Sequence, residues 1–257
     1  MRPTQEQINA LAKKSKTSQF PNGGWQYPFD FGGGIIAPTF TKAQTEIHPF
    51  RKDILIKYIM GQYGKEISKI SVLDLGAGEG ALALALWQVG VKDITCVEAR
   101  SSNIEKGQFV KKTFNADYNF IHDEAESFLK KNNRKFDIVI VSQLLWIVSN
   151  PIMLIKLTAK STNKEMIIET VLAQTKNIEI TNNKSYAPTE AAFFIREVKN
   201  KIDTGSLDGI ELWPNKQAFQ KLLDLGGFSQ FKEFDFGRNY PARYKTGEWI
   251  FGSAKIE

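Results

Sequence analysis

Asp74-Leu75-Gly76-Ala77-Gly78-Glu79-Gly80 is the stretch whose residue types and spacing could do chemistry. Glycines at alternate positions let a ligand approach bare backbone, because no side chain stands in the way. The helix formers Ala81-Leu82-Ala83-Leu84-Ala85-Leu86-Trp87 follow, so the turn opens onto unpaired N–H groups and a partial positive charge. Such a turn holds a nucleotide or a nucleoside derivative. Gly76-x-Gly78-x-x-Ala81 also satisfies the loose dinucleotide fingerprint, so the glycines alone do not choose between ligands. Asp74 does discriminate. A carboxylate at the end of a buried strand must be satisfied by loop N–H groups or by a cationic ligand group. It would repel a pyrophosphate and attract the ammonium and sulfonium groups of S-adenosylmethionine. Glu98 follows at the spacing expected of an acid ending the next strand, where a carboxylate accepts both hydroxyls of a ribose. The bland alternative for Glu98 is an acid facing water.

With Asp74, Gly76, Ala77 and Gly78 in this order, the stretch resembles motif I of the class I S-adenosylmethionine-dependent methyltransferases. The resemblance implies an α/β fold: a doubly wound, seven-stranded Rossmann-like sheet, mostly parallel, with an antiparallel C-terminal hairpin. It places Glu98, Ala99 and Arg100 at the ribose, and Asp123 with Glu124 at the adenine amino group. Asp123 could instead cap the helix that follows it. Phe136-Asp137-Ile138-Val139-Ile140-Val141-Ser142-Gln143 is similar to motif IV, which puts Ser142, Gln143 and Trp146 between cofactor and substrate. The Asp/Asn-Pro-Pro-aromatic signature of base and glutamine N-methylation is missing there, which argues against a nitrogen-directed enzyme of that kind; an oxygen acceptor is expected, with other nitrogen substrates left open. The aromatic N-terminal segment and Trp213-Pro214 look most like the branch of tRNA wobble-uridine modifying enzymes and small-molecule methyltransferases. A nicotinamide-dependent oxidoreductase and a non-catalytic cofactor-binding protein are the other readings.

The elements that must position these residues follow from periodicity. Short apolar runs at 70–75, 94–98, 119–122, 136–142 and 165–169 alternate with helical patterns at 81–89, 101–113, 124–131 and 151–159. That alternation indicates a parallel sheet covered on both faces. An amphipathic helix is expected over Thr4–Lys14 and another over Pro49–Tyr63. Ala191, Phe193, Phe194, Ile195 and Val198 suggest an inserted helix over Pro188–Lys201, and Thr181–Ser185 reads as a loop. A helix over Lys216–Leu225, closed by Gly226-Gly227, leads to two last strands joined by a basic aromatic loop, Arg238–Lys245. Residues 1–66 read as an N-terminal extension, and 67–257 as the main domain with an insertion near 180–210. The extension carries Trp25, Tyr27 and Phe29 among glycines and prolines, so it is either a cover for a sheet edge or a lid over the ligand.

The chain has 257 residues, 42% hydrophobic and 24% charged, an ordinary globular composition. No stretch approaches a membrane span and no secretory signal is visible, which together with the single Cys96 implies a cytoplasmic protein without a disulfide. A net charge of +6 admits RNA, but the basic residues are scattered, so a small molecule is the expected partner and tRNA the alternative. No metal-ligand cluster stands out. By position, the catalytic candidates are His48, Gln143 and Glu169, of which only His48 and Glu169 could take a proton. Trp25, Tyr27, Trp146, Arg238 and Arg243 are the candidates for holding substrate, the arginines through a carboxylate or phosphate.

Overall fold

The computed structural model describes residues 2–174, 179–180, 184–185, 190–198, 205–238 and 240–257, with 179–180 and 184–185 described by backbone alone. The N-terminal part supplies α1 (Gln5–Lys13) and α2 (Lys42–Tyr63). The alternating part then runs β1 (Ser71–Leu75), α3 (Ala81–Gln88), β2 (Asp93–Glu98), α4 (Ser101–Phe114), β3 (Asn119–His122), α5 (Ala125–Lys131), β4 (Phe136–Ser142), α6 (Pro151–Lys160) and β5 (Thr162–Val171). Beyond it lie β6 (Glu179–Ile180), β7 (Lys184–Ser185), β8 (Phe193–Glu197), β9 (Ile210–Pro214), α7 (Lys216–Gly226), β10 (Phe228–Glu233), α8 (Ala242–Lys245) and β11 (Trp249–Ile256).

Seven strands form one sheet in the order β10-β11-β5-β4-β1-β2-β3. β1 pairs in parallel with both β2 and β4, so the chain reverses direction of growth between β1 and β4. Ligands bind doubly wound sheets outside the carboxyl ends of the strands at such a switch point. β11 runs antiparallel to β5 and to β10, which makes the expected C-terminal hairpin.

Strand alternation sends Val72, Ile138, Ile140 and Ile167 to one face and Leu73, Val139, Val141 and Ile168 to the other, all fully buried. The first face is covered from α1 to α4 and the second by α5, α6 and α7, through Leu129, Leu154 and Phe219 among others. No described helix is long and apolar enough to cross a membrane.

Three elements differ from expectation. The inserted helix over Pro188–Lys201 is not formed by its described residues: Phe193–Glu197 is a strand, paired antiparallel with Ile210–Pro214. Phe193, Phe194 and Ile195 have strong strand preference, and the second strand carrying Trp213 gives them a ladder that an isolated helix would lack. β6 and β7 likewise pair at the margin of the expected 181–185 loop, whose residues 181–183 lie outside the described part. The helix expected from Pro49 starts seven residues earlier, behind a capping box at Thr41 and Gln44, with Pro49 inside it. His48 and Arg51 therefore sit within a continuous helix, three residues apart on one face.

Candidate active site

The glycine turn is built as expected but used differently. Gly76, Gly78 and Gly80 all take positive φ, at 70°, 56° and 77°, a region that side chains with a Cβ rarely enter. The N–H groups of Gly76 and Ala77 donate to the Val97 carbonyl, fixing the turn against β2. Of the three glycines, Gly76 borders the cavity described below. A Cβ on Gly78 would come within 2.8 Å of the Gln26 side-chain oxygen, and one on Gly80 within 2.9 Å of Phe120. So Gly78 makes room for the N-terminal segment and Gly80 for a β3 aromatic, and only Gly76 leaves bare backbone toward a ligand.

What holds the N-terminal segment there is Glu79. Its buried carboxylate accepts the backbone N–H groups of Gln26 and Tyr27, at 2.9–3.2 Å, and pairs with the buried Lys106 ammonium at 3.1 Å. Lys106 also donates to Ser15 Oγ and the Gly24 carbonyl, and it lies 5.4 Å from the Trp25 ring centre and 5.3 Å from that of Phe40. Trp25 is consequently core: fully buried, its indole N–H donating to the Ile8 carbonyl and its ring packed edge-on against Phe29 and Phe31. It does not border the cavity and is withdrawn as a substrate contact. Tyr27, two residues on, does border it.

A continuous cavity of about 1430 Å³ lies over the carboxyl ends of the central strands. One end is bounded by Glu98, Ala99, Arg100, Asp123 and Glu124. Each oxygen of the Glu98 carboxylate accepts one loop amide, from Gly78 and from Arg100, both at 2.8 Å, and this fixes the carboxylate at the cavity edge. Asp123 accepts the Glu124 N–H at 2.9 Å and the Lys131 ammonium at 3.2 Å. Arg100 reaches across to the Gly205 carbonyl, tying this end to the segment that leads into β9.

Asp74 stands behind the turn, 2% exposed, and its Oδ2 has no hydrogen-bond partner among the described residues. Burial, reinforced by the nearby Glu98 charge, pushes its carboxyl up from an ordinary 3.8 to about 7. Such a carboxyl is neutralised either by a proton or by a cation brought near it.

The other end of the cavity is bounded by Tyr27, His48, Arg51, Ser142, Gln143, Trp146, Trp213, Arg243 and Trp249. Arg51 and Glu169 organise it. The Arg51 guanidinium donates from Nη2 to Glu169 Oε1 at 3.0 Å, and its Nε lies against Oε2. Glu169, wholly buried, also accepts from Ser142 Oγ at 2.8 Å and from the Tyr244 hydroxyl. Burial opposes the Arg51 charge, but Glu169 more than offsets this and holds the guanidinium protonated more firmly than usual. Glu169 does not border the cavity, and its lone pairs are engaged; the proton-accepting role expected for it is replaced by that of counter-ion to Arg51. Gln143 turns out of β4 with φ of 61°, left-handed, and its N–H donates to the Glu169 carbonyl at 2.9 Å.

Arg51 Nη1 lies 2.6 Å from His48 Nδ1. A guanidinium can only donate, so Nδ1 accepts and the neutral imidazole carries its hydrogen on Nε2. Burial, then the charges of Arg51 and Arg243, hold the imidazole well below its ordinary value of 6.5. The ring packs on Tyr27 with centroids 4.2 Å apart, and burial pushes the Tyr27 hydroxyl up to about 12. Both groups are neutral near pH 7. Trp146 meets Trp213 and Trp249 edge-on, each at 6.2 Å, and Arg243 lies over Trp249 at 4.2 Å. Arg238 is exposed and borders nothing in the cavity, so it is withdrawn as a substrate contact.

Residues 47–197 match the family described as a methyltransferase domain, which is more than half of the chain. The chain belongs to that methyltransferase family. Among curated relatives, the ubiquinone biosynthesis O-methyltransferase of Rickettsia akari (strain Hartford) is 30% identical over 104 residues, 40% of each chain. The ribosomal RNA small subunit methyltransferase G of Acholeplasma laidlawii (strain PG-8A) is 30% identical over 101 residues, 38% of this chain and 42% of that one. The match thus spans about two fifths of these relatives' length. Among solved structures, the N-terminal domain of EvdMO1 with S-adenosylhomocysteine (SAH) bound superposes with a TM-score of 0.70 at 18% identity, over 99% of this chain and 98% of that one. Magnesium protoporphyrin IX methyltransferase from Synechocystis PCC 6803, with S-adenosylmethionine (SAM) bound, gives 0.54 at 14% identity, over 84% and 85%. These two likenesses concern the fold.

The cofactor of this methyltransferase is S-adenosylmethionine, and its residues fit the group. Gly76 has bare backbone at the cavity, and Glu98 is a fixed acceptor for a ribose at its edge. Asp74, whose Oδ2 is unpaired among the described residues, lies behind the turn without bordering the cavity and acts on a cationic ligand through its charge. The nicotinamide alternative falls with the family match. Several residues of the site went unnoticed or unassigned in the sequence. Arg51 had no role because its partner Glu169 is 118 residues away, and Trp213 and Trp249 meet Trp146 only in the fold. Glu79 was legible only as an acid between two glycines, and Lys106 as one lysine in a polar helix.

Proposed function

We propose that this methyltransferase transfers the methyl group of S-adenosylmethionine to an oxygen of a small-molecule acceptor. The observation that carries the proposal is the continuity of the cavity. Glu98 and Asp123 bound one end and His48, Arg51, Arg243 and the three tryptophans the other, with Gly76 and Ser142 also on its wall. Bound at the first end, S-adenosylmethionine would supply a sulfonium methyl already activated for in-line attack. The oxygen–methyl bond would form as the sulfur–methyl bond breaks, SAH would leave, and the proton of a hydroxyl acceptor would pass to solvent, so the protein's task is positioning.

His48 presents an N–H, and its role in this arrangement is to orient the acceptor oxygen by donating to it. Arg51 fixes the imidazole tautomer, and Glu169 fixes Arg51. Glu169 is on this account a positioning residue, and Gln143 acts through the shape of the β4 exit. The tryptophans give flat apolar walls that suit a ring or a sugar face.

Titration with SAM, SAH and NAD, followed by mass spectrometry of a metabolite extract incubated with methyl-labelled SAM, tests the proposal. Binding of SAH but not NAD, with label in a small molecule, is the expected result. The alternative of tRNA modification is tested in parallel by filter binding of bulk tRNA across a salt series. Tight association that falls steeply with salt, with methyl incorporation into tRNA, would overturn the small-molecule acceptor.

A further inference from the structure

The cavity wall carries both signs, with Glu197, Asp208 and Glu211 among its acids, and one guanidinium at its substrate end stands without an ion pair among the described residues. Among the described residues, Arg51 is paired with Glu169, Lys106 with Glu79, and Arg196 with Glu211 at 3.8 Å. Arg243 has no ion pair among them. It is partly buried, it borders the cavity, and the one aromatic face it covers is that of Trp249. Glu169 is near enough to act on Arg243 electrostatically, but Arg51, Ser142 and Tyr244 already occupy its carboxylate. Among the other described groups that act on it, His48 and Tyr244 are neutral near pH 7. Two guanidiniums facing one carboxylate leave a single uncompensated positive charge in a partly desolvated place. Consistent with that, burial and the Arg51 charge loosen the Arg243 proton relative to an ordinary guanidinium. A cation so placed gains from an anion far more than one at a solvated surface does.

We propose that Arg243 anchors a carboxylate of the methyl acceptor, whose ring or flat body lies against Trp146 and Trp249. This rests on the reading of that end as the acceptor site. The guanidinium fork matches a carboxylate through two parallel hydrogen bonds, and its stacking on Trp249 pre-orients the fork. Charge selects carboxylate over phosphate monoester. A carboxylate brings one negative charge and neutralises the excess, whereas a phosphate monoester brings about −1.5 to −2 at neutral pH and overshoots it.

The test uses the SAH-saturated protein and three probes: benzoate, its neutral isostere benzamide, and phenyl phosphate, followed by quenching of tryptophan fluorescence. Benzoate is expected to bind at least about tenfold more tightly than benzamide, as for a charge-assisted pair in a partly buried site. Arg243→Gln should abolish that preference while leaving SAH affinity unchanged, and Arg243→Lys should retain part of it. No benzoate binding, equal affinity for benzoate and benzamide, survival of the preference in Arg243→Gln, or tighter binding of phenyl phosphate than of benzoate would each overturn the assignment. Should Arg243→Gln fail to fold, the wild-type comparison of the three probes and the Arg243→Lys variant still decide it. Failure of the wild-type protein to bind SAH would instead sink the methyltransferase reading, so the two failures are told apart.

Discussion

Replacing Asp74 with asparagine should stabilise the ligand-free protein above neutral pH and weaken its hold on the cofactor. Asp74 is 2% exposed, one of its oxygens has no partner, and its carboxyl is pushed from 3.8 to about 7 by burial and by Glu98. The folded state thus binds a proton, between those two values, that the unfolded chain has already lost. The penalty is absent below 3.8, grows as pH rises through this window, and levels off above about 7. The gap corresponds to about 4 kcal/mol at full development. Asparagine is of nearly the same shape and does not titrate. Denaturant unfolding without ligand should therefore show the wild-type protein losing about 2–3 kcal/mol relative to Asp74→Asn between about pH 5 and about pH 8. A cationic ligand that needs the carboxylate ionised should bind the wild type about tenfold more tightly at about pH 8 than at about pH 6, with no such trend in the variant. SAM, titrated calorimetrically in parallel with each protein, supplies the second measurement. If the two proteins show parallel stability across pH, Asp74 is not a buried, uncompensated carboxylate, and its assignment to a cationic ligand loses its physical basis.

Glu98→Ala should weaken SAH binding by about 1.5–3 kcal/mol, because a charged acceptor is lost and the Gly78 and Arg100 amides lose their partner; unchanged affinity in calorimetry would remove Glu98 from the site. Glu79→Gln should destabilise the fold by about 3–5 kcal/mol, since it strands the buried Lys106 ammonium without its counter-ion. In that variant hydrogen exchange should rise first across residues 24–31, and an increase spread evenly over the sheet would count against Glu79 as the pin of this segment. Gly78→Val should expel Gln26 and force a disfavoured φ, so that limited proteolysis cuts the N-terminal segment faster while circular dichroism still reports the sheet; unaltered proteolysis would mean the close approach is not maintained in solution.

The early part of the sheet was legible because its causes are local. The apolar runs at 70–75 and 136–142, the helix formers after Gly80 and the glycines between them state strand, turn and helix through steric preferences that act within a few residues. The same preferences misled at Phe193–Glu197, where spacing that suits a helix is outweighed by the ladder that Ile210–Pro214 provides. Pro49 misled in the opposite direction: proline often opens a helix, but the capping box at Thr41 nucleates this one earlier and carries it past the proline.

From its sequence alone, then, this protein determines a parallel sheet with a glycine turn, an acid before that turn and an acid at the end of the next strand. These positions are tied to strand ends by chain connectivity. Only the tertiary structure decides that Trp25 is core while Tyr27 reaches the cavity, since that depends on Glu79 and Lys106 meeting the N-terminal segment from the other side of a turn. It alone decides that His48 presents an N–H and Glu169 serves as a counter-ion, because both roles are set by Arg51, whose carboxylate partner comes from 118 residues away. Local sterics select backbone conformations, but the protonation state and role of a buried polar group depend on charges and donors that folding brings within a few ångströms of it.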